Sequence, residues 1–374
     1  MTSLDRHEIR YQRRRKRREM HRQQRSDALG ALHQVFSYGD MFQFGRQCCR
    51  GVRWKQSVQN FELHLFSGTA ARRRKLLDGK LKLGRYVHFT LTERGKTRAI
   101  DAPHINDRQI HKTLCNNALI PLYAPSMIYD NGASQLGKGL HFAHRRLADQ
   151  LRWHFRRHGR EGAVFLMDFH DFFPSAPHAA LYDRHKRLLL NPDICAVADS
   201  VIATVPDGRG MPLGVEPSQQ EMVAMPSKLD NYIKCQLGIH GAGHYMDDYY
   251  MLLPSVKCAK QVAGDVIRRA EALGLQVNRA KCHIIRLDKT FRYCKIQFQL
   301  TETGAVKTHG CRAGMKRARR KLKAFKPRVD AGTMPLESVK EFLQSQTAYY
   351  KNYNDHGRVL RLRRLYQAIF GGEN

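Results

Sequence analysis

Four aspartates set the chemical question for this 374-residue chain: Asp168 and Asp171 follow the apolar run AVFLM, and Asp247-Asp248 lie inside GHYMDDYYMLL. A carboxylate at the end of a buried-type strand is costly unless a cation faces it. Two adjacent carboxylates among aromatic and apolar residues repel each other. A divalent metal removes that cost, and carboxylate oxygens are the ligands Mg²⁺ prefers. Two such ions roughly 3.5–4 Å apart stabilise the attacking and leaving oxygens of an in-line displacement at phosphorus, the reaction that extends a nucleic acid. Positioning and charge stabilisation supply most of its catalysis. The pattern therefore predicts a site for two Mg²⁺ ions, with Mn²⁺ as a substitute, bridged by Asp168 and completed by Asp247, with Asp248 beside it. Asp-Asp also marks ordinary surface turns. Here the flanks are strand-like and a strand-end aspartate lies 79 residues upstream, which favours a site.

These residues need elements to hold them. AVFLM before Asp168 reads as a short buried strand, and GHYMDDYYMLL as strand, turn and strand with the acidic pair at the turn. YVHFTLTERGKTRAIDAP alternates apolar and polar residues around ERGKT and reads as a hairpin. Residues 107–120 and 137–158 read as helices, as does most of 28–75, and 258–275 is an amphipathic helix ending at Gly274. KCHIIRL and FRYCKIQFQL read as strands, and the tail from 311 is helical again. Strands and helices do not alternate strictly, so an α+β class is expected.

Lys and Arg number 65 against 33 Asp and Glu, a net charge of +32. The matching partner is a polyanion, and the lack of apolar surface signals makes it nucleic acid rather than membrane. Charge alone does not imply catalysis, since a ribosomal or histone-like binder would share it. Residues 10–25 carry nine basic residues and one acid, Glu19, with no apolar face. Such an arm is expected to be unordered when free and to order on a phosphate backbone, with Arg13, Arg14, Arg15, Lys16 and Arg17 as its contacts. Residues 305–328 carry ten Lys or Arg and no acid. A helical basic face there, with Lys316, Arg317, Arg319, Arg320 and Lys321, would track a backbone. The nine cysteines include no CxxC pair, so reduced thiols in a cytoplasm are expected, without a zinc knuckle. No apolar run reaches the length of a membrane span, and the basic N-terminus lacks the apolar core of a signal peptide.

From about 85 to 325 the chain resembles the prokaryotic reverse transcriptases in eight ordered blocks. KTRAIDAP resembles the fingers block whose arginine meets the incoming triphosphate, which implies Arg98. DRQIHKTL and NGASQLGKGLHFAHRRL resemble the next fingers blocks. FLMDFHDFFPSAPH resembles the first palm block, MPLGVEPSQ the block under the primer-template, GHYMDDYYM the hallmark turn, LGLQVNRAKCHI the block with a lysine near the pyrophosphate, and FRYCKIQF the primer grip. The resemblance implies a right-hand polymerase of fingers, palm and helical thumb, an RNA template, dNTP substrates and a cDNA product. It implies that the main chain of Phe169 lends a carbonyl to a metal and that Lys281 is a general acid to pyrophosphate. It also implies that Arg98, Asp171, Phe173, Ser218 and Gln219 surround the nucleotide. Phe173 would be the aromatic gate that excludes a ribose 2′-hydroxyl, although Phe172 and Phe173 also suit a core.

Leu213-Gly214-Val215-Glu216-Pro217-Ser218-Gln219 departs from the Gln-Gly-x-x-x-Ser-Pro of many relatives. Gly-x-x-x-Ser-Gln resembles the enzymes of diversity-generating retroelements, which copy a dedicated RNA with errors at adenine and work with a small accessory protein. An antiphage defence enzyme with a structured non-coding RNA, an RNA-dependent RNA polymerase and a non-catalytic RNA-binding scaffold remain as alternatives. The expected segments are a basic arm at 1–27, fingers and N-terminal helices at 28–159, a palm at 160–303 and a basic helical thumb at 304–374. No room is expected for an RNase H, integrase or homing endonuclease domain. The expected setting is the cytoplasm of a bacterium, or a phage-encoded protein acting there.

Overall fold

A computed structural model of the chain describes residues 3–93 and 95–371. Arg94, inside the ERGKT stretch expected to turn the first hairpin, lies outside the described residues, as do the first two and last three residues of the expected arm and thumb. In chain order the first helices are α1 (Ser3–Asp27), α2 (Tyr38–Cys48), α3 (Gln56–Leu63) and α4 (Leu65–Leu77). Strands β1 (Tyr86–Glu93) and β2 (Lys96–Pro103) follow, then α5 (Ile105–Leu114), α6 (Leu140–His158), β3 (Ala163–Met167), α7 (His178–Leu188), α8 (Pro192–Ile202) and α9 (Glu216–Ala224). The rest are β4 (Ala242–Tyr245), β5 (Asp248–Leu253), α10 (Val256–Ala272), β6 (His283–Arg286), β7 (Phe291–Tyr293), β8 (Ile296–Leu300), β9 (Val306–Gly310), α11 (Arg312–Asp330), α12 (Leu336–Lys351) and α13 (His356–Phe370).

The chain divides into two compact units whose seams cut through the expected segments. One contains residues up to 136, 169–236 and 266–278; the other contains 137–168, 237–265 and 279–374. The expected palm is thus shared between the units, and α6, placed by sequence in the fingers segment, belongs with the sheet that carries Asp168.

In the first unit the β1–β2 hairpin is antiparallel, with Leu91 opposite Arg98 and Glu93 opposite Lys96. Its core gathers Ile110, Leu114, Leu119, Tyr123, Val201 and Val215 from α5, the chain after it, α8 and the segment before α9. Residues 10–25, expected to be unordered when free, lie within α1. Arg, Lys, Gln and Glu are good helix formers, and i,i+4 pairs add support: Gln12 donates to Glu8, Arg15 to Glu19 and Gln23 to Asp27. The C-terminal part of α10 ends as its sequence suggests. Gly274 has φ +81°, Leu275 N–H returns to Ala270 O, and Pro177 Cγ sits 2.7 Å from where a Cβ on Gly274 would lie, a glycine C-cap without room for a side chain.

The second unit is built on a four-stranded sheet in the order β4-β5-β3-β6, with every pairing antiparallel. All five residues of β3 are buried, which is why AVFLM is a continuous apolar run rather than an alternating one. Ala143, Leu147 and Leu151 of α6 pack with Val164, Leu166, Tyr250 and Leu252 of the sheet. The small sheet β7-β8-β9 adds Phe291, Tyr293, Ile296 and Phe298 to the same core. Helices α11, α12 and α13 share a core of Met315, Ala318, Leu322, Phe325, Val339, Tyr350, Val359 and Leu362.

The structure differs from the sequence-based expectation at two places. FRYCKIQFQL, read as one strand, is a hairpin: Tyr293 pairs with Ile296, and Cys294 and Lys295 form the turn with φ +44° and +71°. Positive φ at both turn residues matches a type I′ turn, which favours Asn-Gly, so Cys-Lys carried no turn signal. The basic run 305–328 is not helical throughout, because Val306–Gly310 pairs with β8 before α11 begins.

Candidate active site

Register determines which side chains meet at one end of the four-stranded sheet. Met167 pairs with Tyr249, so the next step along β3 and back along β5 sets Asp168 opposite Asp248. Leu166 pairs with His283 on the other side of β3, and two further steps bring Asp168 opposite Lys281. Lys281 Nζ lies 2.7 Å from Asp168 Oδ1. The β4–β5 hairpin closes on Tyr245 opposite Asp248, which leaves Met246 and Asp247 as a two-residue turn. Met246 has φ +54°, uncommon for a side chain of its size and characteristic of strained functional turns. His244 Nδ1 donates to Met246 O at 3.0 Å, and its ring stacks on Tyr249 at 4.3 Å with planes 2° apart. The aspartate turn is therefore held from its own first strand.

The electrostatics follow from this crowding. Asp248 is pushed up to about 6, first by burial and then by Asp247 and Asp168. Cys294, at the tip of the β7–β8 turn, brings Sγ to 3.6 Å from Asp248 Oδ2, and Tyr293 OH donates to Asp248 O at 3.4 Å. Burial and the Asp248 carboxylate both push the Cys294 thiol well above its ordinary range, so it stays protonated and donates. Burial works against the Lys281 charge, but the hydrogen bond to Asp168, with Asp168, Asp247 and Asp248 as neighbouring charges, outweighs it and raises the ammonium.

Among the described residues, no three or more His, Cys, Asp and Glu side chains are already drawn together as a metal cage. The donor set nevertheless suits a hard divalent ion. Asp168 is 7% exposed, its carboxylate faces a cation, and Asp248 carries a charge that its surroundings oppose. Oxygen ligands of this kind hold Mg²⁺ with some of its waters retained. Cys294, Tyr293 and His244 are the site residues that sequence reading did not single out. The signal for His244 was its place two residues before the turn; Cys294 had none, because its turn was not legible.

The remaining expected residues lie in the first unit. Arg98 is exposed on β2. Asp171 is exposed, has φ +43°, and lies 3.2 Å from His170 Nδ1. The main chain of the preceding residue, His170, donates to Gln276 O, and Phe169 forms an isolated bridge with Val277. Phe172 is 5% exposed and stacks on Phe169 at 5.3 Å, whereas Phe173 is only half-buried. One phenylalanine is core and the other is available. Ser218 is fully enclosed in α9, with no hydrogen-bond partner for its hydroxyl, while Gln219 is exposed. Gln219 lines a cavity of about 380 Å³ with Pro103, Arg108, His111 and Gly214. Leu213 O accepts from Asp101 N–H at 2.8 Å, and Gly214 has φ +112° with Ile100 Cγ2 3.2 Å from where a Cβ would lie. The Leu213-Gly214 segment therefore rests directly on β2.

Of the expected nucleic-acid contacts, Arg13, Arg14, Arg15, Lys16 and Arg17 are exposed on α1, and Lys316, Arg317, Arg319, Arg320 and Lys321 are exposed on α11. Lys321 also lies 4.9 Å from the Phe342 ring. All nine cysteines are free, and no helix among the described residues is long and apolar enough to cross a membrane.

Comparison with known proteins agrees with this geometry at the level of family. The reverse transcriptase (RNA-dependent DNA polymerase) family matches residues 88–312. No curated protein sequence is detectably similar to the chain. Two solved structures are similar at low identity. One is telomerase from Candida albicans in complex with a TWJ fragment of telomeric RNA, with TM-score 0.49 and 11% identity, covering 79% of this chain and 63% of that one. The other is apo telomerase from Candida tropicalis truncated from its C-terminal domain, with TM-score 0.48 and 12% identity, covering 65% of this chain and 60% of that one. The chain thus spans less than two thirds of the length of either. With a family match over more than half its length, the chain belongs to the reverse transcriptase family.

Proposed function

We propose that this protein is an RNA-directed DNA polymerase that extends a primer with dNTPs by two-metal nucleotidyl transfer. The observation that carries the reading is the sheet register that brings Asp168, Asp248 and Lys281 to one strand end, with Asp247 in the adjoining turn. The family uses divalent metal ions and binds template RNA. Asp168, Asp247, Asp248 and the Phe169 carbonyl would hold two Mg²⁺ ions, which supply charge stabilisation at the attacking and leaving oxygens. The chain's own residues do the rest. Cys294 and Tyr293 fix Asp248 from the neighbouring hairpin. Lys281 holds Asp168 and would supply a proton to a leaving pyrophosphate as general acid. Arg98 meets the triphosphate, and half-exposed Phe173 gates the sugar. Asp171 and Gln219 complete the nucleotide's surroundings; Ser218 contributes by shaping α9 from inside. The test is primer extension on an RNA template with Mg²⁺, supplying either dNTPs or rNTPs. DNA synthesis that is lost in Asp247→Asn/Asp248→Asn supports the reading, and RNA synthesis overturns it.

The template we infer is the dedicated RNA of a diversity-generating retroelement, copied in the cytoplasm of a bacterium, or of a phage host, with a small accessory protein. The support is Gly214-x-x-x-Ser218-Gln219 and Leu213 in place of the usual Gln. Leu213 sits beside β2 through its main chain, and its apolar side chain loosens contact with the nascent base pair. Sequencing the RNA that copurifies and its cDNA tests the template. A structured RNA unrelated to a variable repeat would favour the antiphage role instead. On an adenine-rich RNA template the native enzyme is expected to misincorporate more often than Leu213→Gln; equal error rates reject the low-fidelity reading.

A further inference from the structure

Helix α1 sorts its charges by face in a way its sequence composition hides. It is 25 residues long, about 37 Å at 1.5 Å per residue, and residues 5–21 are exposed. At about 100° per residue, all nine of its arginines fall on an arc of about 200°, while Asp5, Glu8, Glu19 and Asp27 fall on the opposite arc with Lys16. Down the basic face, Arg6, Arg10, Arg14, Arg18 and Arg22 recur at every fourth residue, about 6 Å apart along the axis. Like charges at i,i+4 destabilise a helix, and cations near its N-terminus oppose the macrodipole. An unbroken arginine row is therefore a cost to the free protein that a row of anions removes.

The arc identifies the kind of anion. A flat anionic surface would meet one narrow side of a helix, and a membrane would also need an apolar stripe. The exposed apolar residues form none: Ile9 and Met20 share a side three turns apart, and Tyr11 lies across from them. A basic face wider than half the circumference fits a concave partner with phosphates on both walls, which is the groove of a nucleic-acid double helix. The other end of α1 is fixed, since Ser26 is buried and its Oγ accepts from Leu190 N–H at 3.0 Å. We propose that α1 is a recognition helix for a double-helical element of a folded nucleic acid, seated between its two phosphate rails with the acidic face turned to solvent. The proposal rests on the polymerase reading only for the class of partner. The occupant is an RNA stem, the class of partner that the polymerase reading supplies, with a bulge to open its otherwise narrow deep groove to a helix.

The test is a fluorescence-anisotropy titration of the full chain against a bulged RNA hairpin, a DNA hairpin and an unstructured strand of equal length, across a salt series. The native protein is expected to prefer the bulged RNA hairpin, and preference for the DNA hairpin overturns the proposal. Arg10→Gln/Arg14→Gln/Arg18→Gln is expected to weaken that binding about 10-fold or more and to flatten the log–log salt slope by about 2–3. Ile9→Glu/Gln12→Glu/Gln23→Glu changes the net charge equally on the acidic face and is expected to change affinity less than about 3-fold. Arg10→Lys/Arg14→Lys/Arg18→Lys guards against loss of the helix itself and should keep the native slope. Equal loss in both charge-reducing variants, no loss in either, or native binding to the single strand as tight as to the hairpins overturns the proposal. Extension of a short primer on an unstructured template by the native protein reports the polymerase reading separately, so failure of one leaves the other measured.

Discussion

Lys281 reaches across from the turn before β6 to Asp168 at the end of β3, with 2.7 Å between Nζ and Oδ1. The contact makes the lysine both a partner that orients the aspartate and a held proton beside the site. The two roles separate in kinetics. Lys281→Gln is expected to lower single-turnover incorporation about 10²–10³-fold and to remove the basic limb of its pH profile, which the raised lysine sets. Lys281→Arg keeps the ion pair without an easily released proton. If Arg restores the native rate and pH profile, Lys281 only positions Asp168.

Asp248 gives a prediction with a definite sign. Its carboxyl is raised from 3.8 to about 6 by burial, Asp247 and Asp168. A raised acid contributes stability that is complete below its unfolded value, about pH 3.8, and is lost as pH rises through about 6. At pH 8 without metal the ionised group should therefore burden the fold by on the order of 1–3 kcal/mol. Asp248→Asn in EDTA is expected to raise the melting temperature at pH 8 and not at pH 4, while polymerisation falls at least about 100-fold. Mg²⁺ should stabilise the native protein more than the variant, because a ligand that binds only the folded state stabilises it. An unchanged melting temperature at pH 8 would show that Asp248 is not strained.

The aromatic pair separates stability from selectivity. Phe172→Ala removes a buried ring stacked on Phe169 and should cost about 3–5 kcal/mol. Phe173→Ala removes a half-exposed ring and should cost far less, while raising ribonucleotide incorporation relative to deoxynucleotide. Urea unfolding and a dNTP/rNTP competition assay read the two effects. Greater ribonucleotide use in Phe172→Ala than in Phe173→Ala would reverse the assignment.

What could be read from the chain depended on locality. Asp168 and the Asp247-Asp248 turn were legible because an apolar run and a strand-turn-strand pattern each end at their own carboxylates. Their meeting was expected from the chemistry of the carboxylates, but the register of β3 against β5 and β6 that produces it was not legible. The β7–β8 turn escaped because Cys294 and Lys295 adopt positive φ without Gly or Asn. The arginine face of α1 escaped because a basic run looks uniform until helical geometry separates its sides. The least legible feature was a buried network in the first unit, assembled from positions 123, 184, 185, 199 and 221.

That network centres on Glu221 in α9, the helix that carries Ser218 and Gln219. His185 is 1% exposed and uses both ring nitrogens, Nδ1 to Asp199 and Nε2 to Glu221 at 2.9 Å. Tyr123 OH donates to Glu221, and Arg184 Nη1 donates to its main-chain oxygen at 2.9 Å. Burial alone would discharge the imidazole, but Glu221 and Asp199 overcome it and raise His185 to about 9. Burial likewise opposes the Glu221 charge, and His185, Arg184 and Tyr123 outweigh it to lower the carboxyl. The signs bracket a pH window. The His185 contribution is complete below its ordinary 6.5 and lost as pH rises through about 9. The Glu221 contribution is present above its ordinary 4.5 and is lost as pH falls through its lowered value. Glu221→Gln leaves a buried imidazolium short of its main partner and should cost about 3–5 kcal/mol at pH 7. Urea unfolding of the native protein between pH 6.5 and 9 should show stability falling, whereas Glu221→Gln should be lower and flatter across that range. Parallel curves would mean that His185 is not charged in the native state, and that α9 is held by packing rather than by this ion pair.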